Sequence, residues 1–283
     1  MNSILRRMAQ TLTRKAGTPE GGPPEPAPPD PAPAEPVLAE IWAKAMRQIR
    51  MHDAVEIEVL LRRFVLPDLP PRPGREQLLT KLIGTSVSEG LYIVDALAKS
   101  GPGDVCEFGV AQGATSALLA AEIAATDRRL YLFDSFAGLP APSAEDVLIH
   151  DIFGLGAIER YAGQMRSPES EVIERLDAVA FPPARRHIMK GWLAETLRRP
   201  DAPRRVAFAY VDLDFYRPIA EALAFLDGRT APGARIVVDD YGFFSAGAQQ
   251  ATDEFVAAVG GRWSLEKPLA GLGHFVTLTR QRE

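Results

Sequence analysis

The sequence predicts an α/β protein built on a doubly wound, mostly parallel sheet, and three observations support this fold class. Beyond Gly103, short apolar runs alternate with segments of helical periodicity, which is the pattern of repeated βαβ units. The runs at residues 205–211 and 234–238 are almost continuously apolar, as strands buried on both faces of a parallel sheet are. Acidic residues follow these runs directly, at the strand ends where such sheets bind their ligands.

Seven segments are predicted as strands. They are residues 104–110, 129–135, 186–190, 205–213, 234–240, 263–269 and 274–279, with a helix at 113–125 after the first strand. A short link containing Gly271 and Gly273 separates the last two, which predicts an antiparallel hairpin at the sheet edge. The stretch 138–184 is too long for a simple connection, so we expect it to carry its own helices and form a lid over the ligand crevice.

The chain ahead of the sheet is predicted to have two parts. Residues 1–36 are interpreted as a disordered tail and linker, because half of residues 19–36 are proline. Residues 37–102 have helical periodicity, for example at Leu91, Val94 and Leu97, and we expect them to form a helical cap. The main domain is then residues 103–283.

Composition excludes several classes of function. The formal charge of the 283 residues is −5, whereas a nucleic-acid surface calls for a basic surplus, so we expect a small-molecule or glycan partner. No segment has the roughly 20 apolar residues of a membrane span, and the N-terminus lacks the apolar core of a secretory signal. We therefore expect a cytoplasmic protein. The single cysteine, Cys106, excludes an intrachain disulfide.

A glycine motif follows the first predicted strand. Gly109 and Gly113 lie between that strand and a helix, where glycine allows close approach of a ligand and the helix offers free N–H donors. The G-x-G-x-x-G fingerprint of dinucleotide sites is missing, which disfavours a nicotinamide cofactor. Asp134, at the end of the second strand, suits two ribose hydroxyls, and Glu107 suits the amino group of an amino acid. A tight turn that requires glycine is the alternative explanation of the motif.

Aspartates at the ends of two strands predict a metal site. Asp212 follows one apolar run, and Asp239 and Asp240 follow the next, so all three are expected to meet at one edge of the sheet. Three carboxylates in one crevice repel one another unless a cation neutralises them. An all-oxygen set favours magnesium, calcium or manganese over zinc.

Taken in order, these motifs resemble the macrocin O-methyltransferase family, a branch of the class I S-adenosylmethionine (SAM)-dependent methyltransferases that acts on sugars. The matching segments are residues 106–110 with Gly113, 133–140, 190–197, 212–216 and 237–241. The resemblance implies that Glu107 and Asp134 bind SAM and that Asp212, Asp239 and Asp240 hold Mg²⁺. Ser135 and Trp192 lie in the same motifs and complete the cofactor candidates, together with the two glycines, although core packing explains Trp192 equally well. The resemblance also implies a homo-oligomer.

The chemistry implied by this resemblance is methylation of a sugar hydroxyl on a natural product or polysaccharide. A divalent cation would stabilise the alkoxide, and a carboxylate at the metal would take the proton. Asp212 is the first candidate for this base and Asp214 the second, although Asp214 equally suits a helix N-cap. Among the histidines only His150, in the predicted lid, is a further candidate, although a lone loop histidine is more often a solvated surface residue.

Two other functions compete with methyl transfer. Asp212 and Asp214 form an Asp-x-Asp pattern, which in a metal-dependent glycosyltransferase binds the metal and a nucleotide-sugar diphosphate. That scheme leaves the glycine motif and the pair Asp239 and Asp240 without a role. The second alternative is an assembly subunit without catalysis, since a fold alone does not determine function.

Overall fold

The computed structural model describes residues 35–282 of the chain. Three helices precede the sheet: α1 (Glu35–Phe64), α2 (Arg75–Leu79) and α3 (Val87–Lys99). Helix α1 thus begins inside the segment expected to be linker. The remainder of the predicted tail, residues 1–34, lies outside the described residues. No helix among residues 35–282 is long and apolar enough to cross a membrane.

The sheet has seven strands in the order β3-β2-β1-β4-β5-β7-β6. The first five run parallel, and β7 and β6 are antiparallel additions at one edge. The strand bounds are β1 Asp104–Phe108, β2 Leu130–Asp134, β3 Arg186–Lys190, β4 Val206–Val211, β5 Thr230–Val238, β6 Trp263–Glu266 and β7 Val276–Arg280. The predicted doubly wound α/β sheet with a terminal hairpin is therefore confirmed.

Helices cover both faces of this sheet. The connecting helices are α4 (Ala114–Glu122), α5 (Glu169–Ala178), α6 (Leu193–Thr196), α7 (Tyr216–Asp227) and α8 (Ala246–Ala258). One apolar core joins the sheet to α7 and α8, through side chains such as Leu223 and Ala251. A second core lies on the opposite face, where Leu97 of α3, Leu119 of α4 and Leu176 of α5 pack on the sheet. Burial on both faces explains why the central strands are almost continuously apolar.

The predicted strand ends differ from the observed ones by a few residues at the site. Strand β1 ends at Phe108 instead of residue 110, because Gly109 takes a φ of 82° and turns the chain. Strand β4 ends at Val211, and its partner β5 ends at Val238 in register with it. Asp212 and Asp239 therefore begin two adjacent loops at the same edge of the sheet.

A buried arginine connects the helices before the sheet to α4. The Arg75 guanidinium of α2 donates to both carboxylate oxygens of Glu122 at 2.8 and 2.9 Å and to Glu58 of α1 at 2.9 Å. Arg75 is fully buried, so its charge is compensated only by these contacts and by the carbonyl of Pro70. An ion pair of this kind fixes geometry, and removal of one partner would leave a buried charge uncompensated.

The long stretch between β2 and β3 divides into two parts. Residues 139–165 include a 3₁₀ turn (Ile158–Tyr161), and their side chains pack with Phe215 and Phe244. Helix α5 instead packs against α4 on the outer face of the sheet. The expected helices are present, but only the first part of the stretch borders the crevice.

Candidate functional site

A cavity of about 740 Å³ opens at the carboxyl ends of the parallel strands. This volume is within the range of small-molecule and cofactor sites. Its floor is formed by residues that follow β1, β2, β4 and β5, among them Gly109, Asp134, Asp212, Asp239 and Asp240. Its opposite wall is largely apolar and includes Leu139, Ile152, Phe153, Met165 and Phe243. The predicted crevice at the strand ends is thus present.

The two glycines of the glycine motif have different surroundings. Gly109 lines the cavity, and a Cβ there would overlap the carbonyl oxygen of Asp212 on the neighbouring loop. Gly113, with a φ of 78°, begins α4, and a Cβ there would lie 3.0 Å from the Cα of Val172 in α5. Gly113 does not line the cavity. Its requirement for glycine therefore has a packing cause, which the sequence motif alone did not separate from ligand binding.

Glu107 is buried behind this loop and is not part of the cavity lining. Its carboxyl accepts a hydrogen bond from the Ser116 hydroxyl of α4. Burial raises the pKa of Glu107 to about 8, and the nearby charge of Asp134 adds to the increase. The structure thus places Glu107 where it ties β1 to α4, without the direct access to a ligand that the sequence predicted.

Asp134 lies at the end of β2 and lines the cavity. One carboxylate oxygen accepts from the N–H groups of Val110 at 2.7 Å and Ala111 at 3.0 Å, and the other from Phe136 N–H at 2.6 Å. The carboxylate therefore holds the glycine loop against β2. Ser135, next to it in the lining, shapes the following turn through its contacts with Ala137 N–H and the Gly138 carbonyl.

Trp192 forms one wall of the cavity beside this loop. Its neighbour Gly191 donates from its N–H to the Asp134 carbonyl at 2.9 Å, which places the backbone before Trp192 beside the end of β2. Trp192 and Asp134 line the same cavity. Trp192 is about half exposed and is not part of the apolar cores. A flat, partly exposed ring at a cavity wall is suited to stacking on a planar ligand.

Three aspartates form a compact cluster on the cavity floor. Asp212, Asp214 and Asp240 bring one carboxylate oxygen each within 4.8 Å of the others. Burial raises the pKa of all three, and repulsion between the carboxylates raises it further, to about 8 for Asp214 and about 10 for Asp240. Asp214 and Asp240 also have left-handed backbones, with φ of 63° and 55°. Strain of this kind tends to occur at functional sites.

Asp239 is oriented differently from its predicted role as a metal ligand. One of its oxygens accepts from the Tyr210 hydroxyl, and the other accepts from the N–H of Asp240 at 2.8 Å. Its carboxylate is not part of the compact cluster. Asp214 takes that place, although the sequence offered it only as a reserve base or an N-cap. Helix α7 has Phe215 at its N-cap position without a side-chain cap, so the capping role of Asp214 is not present.

Sequence reasoning missed two residues behind this cluster. The hydroxyl of Tyr210 on β4 lies between Asp239 and Asp212, 3.3 Å from the latter. Glu89 of α3 is buried with one carboxyl oxygen lacking a hydrogen-bond partner, and burial followed by the charge of Asp239 raises its pKa to about 10. The available signal at Glu89 was its spacing from Ser86, which is the pattern of a capping box and is indeed one.

Asp146 anchors the cavity wall formed by the stretch after β2. One of its oxygens accepts from Tyr216 N–H, the first residue of α7, at 2.8 Å and from the Ser245 hydroxyl at 3.2 Å. The other accepts from both the N–H and the hydroxyl of Ser143. His150, predicted as a further candidate base, is exposed outside the cavity lining and packs against Phe243.

The donor set fits a hard divalent cation. Carboxylate oxygens within 4.8 Å of one another can meet around an ion that binds oxygen at about 2.0–2.6 Å. Without a cation, burial and the charges of the neighbouring carboxylates favour the protonated form of these acids, which raises their pKa values. One cavity therefore combines a candidate cation site with an aromatic wall and an acid at the end of β2.

Comparison with known proteins identifies the family. The model of the family described as macrocin-O-methyltransferase (TylF) matches residues 88–272, which is more than half of the chain. This chain belongs to the macrocin O-methyltransferase family. The matched region contains the whole parallel sheet and the aspartate cluster, so the chain is an O-methyltransferase by family and a class I methyltransferase by fold.

Individual proteins that are similar to this chain agree with its assignment to the macrocin O-methyltransferase family. A Streptomyces olivaceus protein, 8-demethyl-8-(2,3-dimethoxy-alpha-L-rhamnosyl)-tetracenomycin-C 4'-O-methyltransferase, is 29% identical over 213 residues, covering 72% of this chain and 77% of the relative. The solved structure of the O-methyltransferase NovP has a TM-score of 0.59 at 22% identity, covering 70% of this chain and 81% of NovP. The solved structure of CalS11, a calicheamicin methyltransferase, has a TM-score of 0.56 at 22% identity, covering 80% of this chain and 91% of CalS11. These two structures support the fold.

Proposed function

We propose that this protein is a SAM-dependent, Mg²⁺-dependent O-methyltransferase that methylates a sugar hydroxyl of a glycosylated natural product. The observation that carries the proposal is that Asp212, Asp214 and Asp240 face the same cavity as Asp134 and Trp192. A cofactor and a metal-bound hydroxyl would therefore meet in one space. The relative from Streptomyces olivaceus bears the name of a methyltransferase for a rhamnosyl group, which supports a sugar as the acceptor.

The cofactor side of the cavity is the wall formed by Gly109, Asp134, Ser135 and Trp192. The indole of Trp192 suits the adenine ring by stacking. The carboxylate of Asp134 accepts three backbone N–H groups, which leaves about one of its four lone pairs, and this lone pair suits one ribose hydroxyl. Glu107 would act indirectly, by fixing the start of α4 through Ser116.

The acceptor side is the aspartate cluster. Asp212, Asp214 and Asp240 would hold the magnesium ion, which supplies stabilisation of an alkoxide at neutral pH. Bound SAM would supply the methyl group, with its sulfur as the leaving group, and the proton of the acceptor hydroxyl would pass to a carboxylate oxygen of the cluster. Asp212 and Asp214 both line the cavity and are the groups that we propose to hold that proton.

Residues 139–165 would act as the lid in this scheme. Their apolar side chains, such as Leu139, Ile152 and Met165, form the cavity wall opposite the strand ends. Such a wall excludes water from the methyl transfer and suits an acceptor with apolar substituents. Asp146 would hold the lid on the scaffold, through its contacts with the start of α7 and with Ser245.

Calorimetric titration with S-adenosylhomocysteine tests this function, first with magnesium and then with a chelator. Micromolar binding that is lost in Asp134→Ala and retained in the exposed control Asp253→Ala would support the cofactor wall. Methylation of rhamnose-containing acceptors that requires the metal would then support the acceptor. A folded protein that does not bind S-adenosylhomocysteine would refute the proposal, and binding of a nucleotide sugar instead would favour glycosyl transfer.

A further inference from the structure

A second cavity, of about 290 Å³, is lined by residues of α2, α4 and α5 and of the loops beside them. It shares no lining residue with the cavity at the strand ends. Three cationic side chains line it: Arg72 before α2, Lys81 after α2 and Arg175 of α5. Among residues 35–282, no acidic residue belongs to its lining. The lining of this second cavity is therefore positively charged.

This excess of cations is opposite to the composition of the chain. The 283 residues include 32 lysines and arginines but 37 aspartates and glutamates. A cavity lined by average residues of this chain would therefore carry acids as well as bases. The three cations come from both ends of α2 and from α5, so the packing of these helices brings them together.

The carboxylates beside these helices are already bound. Glu122 accepts hydrogen bonds from the buried Arg75 at 2.8 and 2.9 Å, and one of its oxygens lies 3.6 Å from the guanidinium of Arg72. Arg75 also donates to Glu58 at 2.9 Å. These two arginines and two glutamates balance one another in charge.

Lys81 and Arg175 are not balanced in this way. Within the part of the chain that the structure describes, neither has a carboxylate oxygen within 4.0 Å of its cationic group. Both nevertheless line one small cavity, where like charges repel each other. An anion bound between them would compensate both charges.

One side of the second cavity consists of small side chains. Ala114, Ala117 and Ala121 follow a spacing of three and four residues, so they share one face of α4. Alanine leaves room beside the helix for a ligand that the longer cationic side chains hold. The volume lies just below the range of about 300–1,000 Å³ for drug-sized ligands, which favours a compact ligand.

We propose that the second cavity binds a compact phosphate-type anion, either inorganic phosphate or the phosphate group of a small metabolite. The guanidinium groups of Arg72 and Arg175 offer paired N–H donors that match the oxygens of a phosphate, and Lys81 adds a third positive charge. The amide of Gln77, also in the lining, adds a neutral donor. This inference does not depend on the reaction at the strand-end cavity.

The second cavity lies directly behind the glycine loop. Ala114 lines it, whereas Ala111 and Gln112 line the strand-end cavity. Between them, Gly113 packs against Val172 of α5, one turn before Arg175 in the same helix. A bound anion would connect α2 to α5 across the start of α4. Because it binds the folded state, we expect it to raise the melting temperature.

Calorimetric titration of the full-length protein with inorganic phosphate, and separately with glucose 1-phosphate, tests the site. A metal-free buffer of low ionic strength is used, so that no cation can bridge a phosphate to the aspartate cluster. Both anions should bind, and Lys81→Gln and Arg175→Gln should each raise the dissociation constant about tenfold, because each removes a charged donor. Equal affinities would identify the free anion as the ligand, and tighter binding of glucose 1-phosphate would identify a phosphorylated metabolite.

An exposed arginine outside both cavities provides the matched control. Arg198→Gln should leave the dissociation constants unchanged. Without an anion, Lys81→Gln and Arg175→Gln should melt no lower than the wild type, because each removes a repelling charge, so weaker binding would not reflect a damaged fold. Phosphate should raise the melting temperature of the wild type but not that of the double variant. A wild-type protein that binds neither anion would overturn the proposal, as would binding that the double variant retains in full.

Discussion

Replacing Asp214 by asparagine should stabilise the metal-free protein. Asparagine has nearly the same shape, and it tolerates the left-handed backbone of this position, where φ is 63°. The substitution therefore removes mainly the charge. Because burial and the charge of Asp212 raise the pKa of Asp214, the ionised carboxylate is unfavourable in the folded state.

The magnitude follows from the pKa of Asp214, which rises from 3.8 to about 8. The folded state binds the proton of Asp214 more tightly than the unfolded state does. The contribution of this group to the free energy of unfolding is therefore fully present below pH 3.8 and is lost progressively as the pH rises towards 8. At pH 7 the loss approaches about 4 kcal/mol, at roughly 1.4 kcal/mol per pH unit. Since Asp240 shares the proton, we expect about 2 kcal/mol for Asp214→Asn.

Urea denaturation in the presence of a chelator, from pH 4.5 to 8, measures this effect. The advantage of Asp214→Asn should be small at pH 4.5 and grow towards pH 8, and added magnesium should stabilise the variant less than the wild type. Asp95→Asn is the matched control, because this buried acid pairs with Lys99 at 2.9 Å and its neutralisation should destabilise. If Asp214→Asn is less stable than the wild type at pH 7.5 without metal, the repulsion argument is wrong.

Three further substitutions test other parts of the site. Tyr210→Phe removes the hydroxyl that donates to Asp239 and lies 3.3 Å from Asp212, a proposed metal ligand. The variant should bind magnesium about tenfold more weakly and S-adenosylhomocysteine as tightly as the wild type. Unchanged magnesium affinity by calorimetry would contradict this role. Gly109→Ala should lower the melting temperature and abolish cofactor binding, because its Cβ would overlap the Asp212 carbonyl. A variant that folds normally and binds the cofactor would contradict the need for glycine at this position. Asp146→Ala should lower the free energy of unfolding in urea by about 2 kcal/mol and raise the KM for the acceptor, since Asp146 anchors the lid. An unchanged KM would contradict this anchoring role.

Much of the fold follows from local pattern. The apolar runs that became β4 and β5 are buried on both faces, so their composition reports directly on their position in the sheet. The location of Asp212 and Asp240 at one edge of the sheet can also be predicted from the sequence, because parallel strands bring their carboxyl ends together. Topology thus predicted which acids would meet.

Side-chain orientation did not follow from the same reasoning. Asp239 turns to the Tyr210 hydroxyl and the N–H of Asp240, and the buried Glu89 that faces it comes from a helix about 150 residues earlier in the chain. The contact between Gly113 and Val172 likewise joins segments far apart in sequence. Such contacts depend on how elements pack, and periodicity carries no information about them.

The buried Arg75 has a consequence for protein engineering. Because its guanidinium bridges Glu58 of α1 and Glu122 of α4, neither helix can be exchanged with that of another enzyme alone. A chimera designed to change acceptor choice would have to transfer all three residues together, or replace all three by apolar ones of similar volume.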